Sequence, residues 1–207
     1  MVTSNGAGGG DWNTPSTWSP NGVPTVIDEV TILASDVVTV GAYTISITDL
    51  TINGTLDLGS EIGHQIDGTL AGTGILALSS SSTSAVMPSV EGGNSFAGTL
   101  TFNGNNSYDL PDLSGFSFNN LSIEGARTKS LSSFIDVGGD FTIGLGAVFN
   151  PLSFDVTVTN STNIDGTFND DNAGGDNTFC LRMDFIAMWM VGIPVCVYGA
   201  FVAGWDF

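Results

Sequence analysis

The chain is written as short β-patterned runs separated by turn residues, and this punctuation limits its possible folds more than any other feature. From residue 26 the runs are Val26–Leu33, Val37–Val40, Tyr43–Ile52, Thr55–Leu58, Gln65–Leu70 and Gly74–Leu78. A polar stretch, Ser79–Gly93, intervenes before Gly98–Phe102, Phe116–Ile123, Phe134–Val137, Asp140–Ile143, Ala147–Phe149, Phe154–Thr159 and Asn163–Phe168. Gly, Asn, Asp and Ser fill the gaps. Strands this short and this frequent predict a sandwich, a barrel or a solenoid. Helix is disfavoured, because Lys, Arg, Glu and Gln together supply only eight of 207 residues. Val, Ile, Thr and Phe occupy the half-buried positions instead, as pleated strands prefer. With 42% hydrophobic residues the chain can bury a core despite its charge.

Weak self-similarity favours the solenoid. Gly-Thr followed by Leu or Phe recurs at Gly54, Gly68, Gly98 and Gly166, and Asp49-Leu-Thr-Ile-Asn-Gly54 is echoed by Asn120-Leu-Ser-Ile-Glu-Gly125. The irregular spacing suits a parallel β-helix, whose coils vary in length because insertions sit in loops. Each coil buries its inward face only by stacking on the next. Ile45, Ile47, Leu50, Ile52, Leu56 and Leu58 alternate as an inward set should. The expected fold is therefore all-β, a right-handed parallel β-helix over residues 26–178, with a β-sandwich as the alternative. Residues 1–25 are expected to form an N-terminal cap. Trp12 and Trp18 have broad apolar faces to lay over the first coil, and Pro15, Pro20 and Pro24 cannot donate to a ladder. The two indoles are also candidates for a sugar-stacking platform.

The order Gly10-Asp-Trp-Asn-Thr-Pro-Ser-Thr-Trp18, Asn21-Gly-Val-Pro24, Asp28-Glu-Val-Thr-Ile32, Val38-Thr-Val40 and Leu50-Thr-Ile-Asn-Gly-Thr-Leu56 resembles the opening of a G8-type domain, as found in large Bacteroidota-like surface proteins built as β-solenoids. The likeness is ordered over residues 10–60 and looser to residue 168. It implies an extracellular, carbohydrate-associated or adhesive architecture, with some relatives linked to hyaluronan handling. It brings no catalytic signature that maps onto these residues.

Charge narrows the partners. Lys plus Arg number 3 against 21 Asp plus Glu, a formal charge of -18. Nucleic acid and anionic membrane surfaces need cations that Arg127, Lys129 and Arg182 cannot supply. Polyanionic glycans meet the same repulsion, which leaves a neutral glycan or further copies of the chain as partners. His64 is the only histidine and lies in no nucleophile elbow, so a position at a turn or on a coil surface is expected. No His/Cys set could hold zinc. Carboxylates are the remaining chemistry: Asp28/Glu29, Asp109/Asp112, Asp136/Asp140 and Asp170/Asp171 are the close pairs that a glycosidase on a neutral glycan would need, although solvated turns produce such pairs freely. No cofactor is expected other than calcium, for which Asp170, Asp171 and Asp176 are candidate oxygen ligands; a flexible turn is the alternative reading of that loop. A chain without catalytic residues is the expectation.

No basic, apolar leader follows Met1, and the composition resembles that of exported proteins, so an excerpt or a mature segment is expected. From residue 179 the pattern changes. Residues 186–203 are uncharged and mostly apolar, and both cysteines, Cys180 and Cys196, lie in this last part. As a helix, 18 residues would reach about 27 Å, enough for a bilayer core, but Gly192 and Pro194 interrupt it. Membrane contact, if any, is confined to this segment. Alternatively, it supplies closing strands or an assembly strand through Ile186, Trp189, Val191, Val195, Val197 and Phe201. A third reading is an end foreign to the natural fold, such as an out-of-frame stretch. Taken together, these features predict a non-catalytic structural or adhesive segment of a surface protein or filament.

Overall fold

A computed structural model describes residues 1–169 and the strands Thr178–Leu181 and Val195–Tyr198. The chain coils into a β-solenoid. One eight-stranded sheet runs its length in the order Gly9–Asp11, Val37–Thr39, Thr55–Asp57, Ile75–Leu78, Thr99–Phe102, Asn120–Ile123, Phe141–Ile143 and Thr162–Ile164. Every neighbouring pair in it is parallel. The other faces change along the stack. In the first half they are a six-stranded sheet, parallel from Val2–Ser4 to Gly93–Asn94, and a three-stranded sheet, Ser46–Ile47, Gln65–Ile66 and Ser89–Val90. In the second half they are two four-stranded sheets, one from Tyr108–Asp109 to Thr167–Phe168 and one from Ile135–Val137 to Val195–Tyr198.

Register explains the core. Leu56, Leu76, Leu100, Leu121 and Phe141 stand directly over one another, 20 to 24 residues apart in sequence, and none is more than 1% exposed. Phe102, Ile123 and Ile143 form the next inward column. Strands sit about 4.8 Å apart, so each apolar side chain rests on its counterpart in the coil below. Burial of each stabilises the stack by roughly 1.5–3 kcal/mol.

The recurring Gly-Thr phrase has a steric cause. A Cβ on Gly54 would strike the backbone carbonyls of Leu33 and Asp36, one on Gly98 would strike that of Gly74, and one on Gly166 would strike those of Gly144 and Ala147; Gly74, which Ile75 follows, meets the Gly54 carbonyl in the same way. Turns of successive coils lie carbonyl against Cα, and only glycine leaves the space.

The N-terminal segment is more integrated than a cap spanning residues 1–25. Val2–Ser4 pairs in parallel with Glu29–Ile32, and Gly9–Asp11 with Val37–Thr39, so residues 2–11 already supply two faces of the first coil. Only Trp18–Ser19 turns back, antiparallel on Thr3 and Ser4. Two expected runs also subdivide. Tyr43–Ile52 turns a corner at Thr48 and enters two sheets, Ser46–Ile47 and Asp49–Ile52. Val26 and Ile27 are exposed, and the strand begins at Glu29. Among the described residues no helix is long and apolar enough to cross a membrane.

Candidate functional site

A groove of about 270 Å³ lies on the flank of the second half, lined by Leu113, Ser114, Phe116, Ser117, Phe118, Phe134, Ile135 and Asp136. Two segments build it. Residues 111–119 leave the coil between Tyr108–Asp109 and Asn120–Ile123, and residues 132–134 lead into Ile135–Val137. Leu113 and Ile135 are buried and form the floor. Phe116 and Phe118 are half-buried against the core, whereas Phe134 keeps 59% of its surface open.

The outer loop is held by its own polar groups. Asp112 Oδ1 accepts from the Ser114 N–H at 3.0 Å and from the Ser133 hydroxyl at 3.0 Å, which ties the two segments together. The Ser114 N–H, then the Ser114 and Ser133 hydroxyls, hold the Asp112 carboxyl below its ordinary value. The Ser117 hydroxyl donates to the Phe96 carbonyl at 3.1 Å, anchoring the loop on the coil beneath. Asp136 is exposed at the rim, in register with Thr157 of the next coil. Among the described residues no Lys or Arg lines the groove. Its chemistry is aromatic carbon with a carboxylate at the edge, which suits a neutral or cationic group and repels an anion.

The residues singled out by sequence are placed elsewhere. Trp12 and Trp18 are 4% and 2% exposed and meet edge to face at 4.8 Å. Trp18 Nε1–H donates to the Trp12 carbonyl at 2.7 Å. Their rings face the protein interior, so neither indole offers a platform to a sugar. Asp170, Asp171 and Asp176 lie outside the described residues, as do Ile186, Trp189, Val191 and Phe201 of the apolar segment. Val195 and Val197 fall in the strand Val195–Tyr198.

The described carboxylates of the close pairs are engaged in different ways. Asp28 accepts from the Thr25 N–H and hydroxyl, both at 2.8 Å. Glu29 is in register with Asp49, whose Oδ1 binds the Thr69 N–H at 2.6 Å and hydroxyl at 2.8 Å. Asp140 Oδ1 accepts from Asn160 Nδ2 at 2.6 Å and the Ser161 N–H at 3.1 Å. The Asp49 and Asp140 bonds tie one coil's turn to the next, whereas those of Asp28 close a local turn. Among the described residues no three His, Cys, Asp or Glu side chains lie together as a metal site.

His64 is not at the surface, as its sequence context suggested, but 1% exposed. Its Nδ1 accepts the Ile45 N–H at 3.2 Å, which makes Nε2 the protonated nitrogen, facing the Glu61 carbonyl at 3.0 Å. The ring stands in for a missing strand partner at a corner of the coil.

Lys129, like Asp36, is a buried ionisable group that sequence reasoning missed. It is fully buried; its Nζ donates to the carbonyls of Gly104 at 2.9 Å and Ala126 at 2.8 Å and sits 5.5 Å from the Tyr108 ring centroid. The Tyr108 hydroxyl donates to the Asn103 carbonyl at 2.5 Å. Burial lowers the Lys129 pKa, with the charge of Glu124 opposing, and burial raises that of Tyr108. The only signal available was alternation within Arg127-Thr-Lys-Ser130, which places residue 129 inward.

The chain matches no family model, no curated protein and no solved structure.

Proposed function

We propose that the chain is an extracellular, non-catalytic segment of a surface protein or filament, a stiff β-solenoid that carries an adhesive contact. The groove beside Phe134 is that contact, and its ligand is a sugar ring of a neutral glycan. The observation that carries this reading is a phenylalanine with an open ring next to an exposed carboxylate, in a groove with no cation among its described lining residues. The C–H face of a sugar stacks on an aromatic face, and its hydroxyls donate to a carboxylate. A formal charge of -18 argues against an anionic glycan.

The test is calorimetric titration of the whole chain with neutral oligosaccharides, alongside Phe134→Ala. Binding weakened at least tenfold by the substitution, with an unchanged melting temperature, is the expected result. Failure of every neutral glycan to bind, or equal binding by the variant, overturns the reading. Hydrolysis of a bound glycan that disappears in Asp136→Asn would favour a glycosidase instead.

A further inference from the structure

The two cysteines of the chain are direct register partners. Thr178–Leu181 adds in parallel to Val156–Val158, and Val195–Tyr198 returns antiparallel on its outer edge with Cys180 opposite Cys196. We infer that Cys180 and Cys196 are a disulfide-forming pair that locks this returning strand onto the solenoid. Opposed residues of an antiparallel pair have Cα atoms about 4.5 or 5.5 Å apart, depending on whether they exchange hydrogen bonds. A disulfide spans roughly 4.4–6.8 Å between Cα atoms, so either kind of site accommodates it.

Cys180 pairs with Thr157, which in turn pairs with Asp136 on the preceding coil. Oxidation by a small disulfide such as oxidised glutathione balances simply. One cysteine thiolate attacks the reagent, forming a mixed disulfide and releasing one glutathione thiol; the second thiolate then displaces the other glutathione. Two protein thiols become one disulfide, and one glutathione disulfide becomes two thiols.

The bond has a structural use. Val195–Tyr198 covers the edge of Thr178–Leu181, much as Trp18–Ser19 covers that of Val2–Ser4 at the other end. An uncovered parallel edge is a template for pairing with another chain. The tryptophan pair secures the first strand through packing; the cross-link secures the second through covalency. This inference is independent of the sugar-binding reading.

The whole chain is equilibrated in a glutathione redox buffer, its free thiols are alkylated, and it is digested without reduction. The expected product is one linked peptide pair joining residues 180 and 196, from monomeric protein, two hydrogens lighter than the separate peptides and absent after reduction or in Cys196→Ser. Complete alkylation of both cysteines under fully oxidising conditions overturns the inference. So does oxidation that yields only cross-links between chains or glutathione adducts.

Discussion

Lys129 stands in register on Tyr108, and its ammonium spans the turn carbonyls of Gly104 and Ala126 beside the phenol ring. In a chain with three basic residues, one is spent wholly inside the fold. The cation satisfies two backbone acceptors that the local coil geometry leaves over, and the aromatic ring repays part of its lost hydration.

Lys129→Met tests that arrangement. Methionine fills similar space but leaves both carbonyls without their donor, and an unsatisfied buried group costs roughly 1–3 kcal/mol. We expect urea denaturation to show a loss of that size with an unchanged slope. A midpoint at or above that of the wild type would mean that desolvating the amine outweighs its hydrogen bonds.

Gly74→Ala tests the contact between turns. Its Cβ meets the Gly54 carbonyl, a backbone atom with no free end to swing aside. Forcing the coils apart should cost about 1–3 kcal/mol. Gly115→Ala, where an added Cβ meets nothing within 4 Å, is the matched control, and its effect should stay within about 0.5 kcal/mol. Thermal melts of the two variants separate close approach from general loss of glycine flexibility.

These turns also show what sequence alone could reveal. The Gly-Thr-Leu phrase and its alternating neighbours marked parallel rungs because the same steric demand recurs at Gly54 and Gly98. Such a phrase fixes a strand and a turn, but not a face. Asp49–Ile52 and its echo Asn120–Ile123 lie in different sheets, one in the six-stranded and one in the eight-stranded. The groove was hidden for a related reason. Phe116 and Phe118 alternate with the period of a strand but out of phase with Leu121 and Ile123, and pairing begins only at Asn120. The roles of His64 and Lys129 depend on carbonyl and amide groups brought from other coils, which no local pattern records.

Trp18→Phe addresses the N-terminal end. Phenylalanine retains an aromatic edge against Trp12 but deletes the N–H that reaches the Trp12 carbonyl. The buried carbonyl then lacks a partner, at a cost of roughly 1–3 kcal/mol. Hydrogen exchange should rise first in Val2–Ser4, the strand on which Trp18–Ser19 pairs. Uniform acceleration throughout the eight-stranded sheet would instead mean that the tryptophan pair supports the whole stack.

His64 makes stability pH-dependent in a definite direction. Burial disfavours the charged ring and lowers its pKa from 6.5, while the Glu61 carbonyl and carboxylate oppose the shift without reversing it. Protonation at Nδ1 would also set a donor against the Ile45 N–H. Below pH 6.5 the unfolded chain therefore binds a proton that the folded chain resists, so stability falls as the pH drops through that region. Asp36 acts lower. Burial would raise its pKa, but hydrogen bonds from Ser4, Gly6, Gly8 and Ser35 outweigh it and hold the value below 3.8, so its contribution is lost only in stronger acid. Chemical denaturation across pH should show a shallow decline starting near 6.5 and a separate one below 3.8. In His64→Asn the amide oxygen can accept the Ile45 N–H and does not titrate, so the first decline should vanish while the second remains. An unchanged first decline in that variant would assign the acid sensitivity to a group other than this ring.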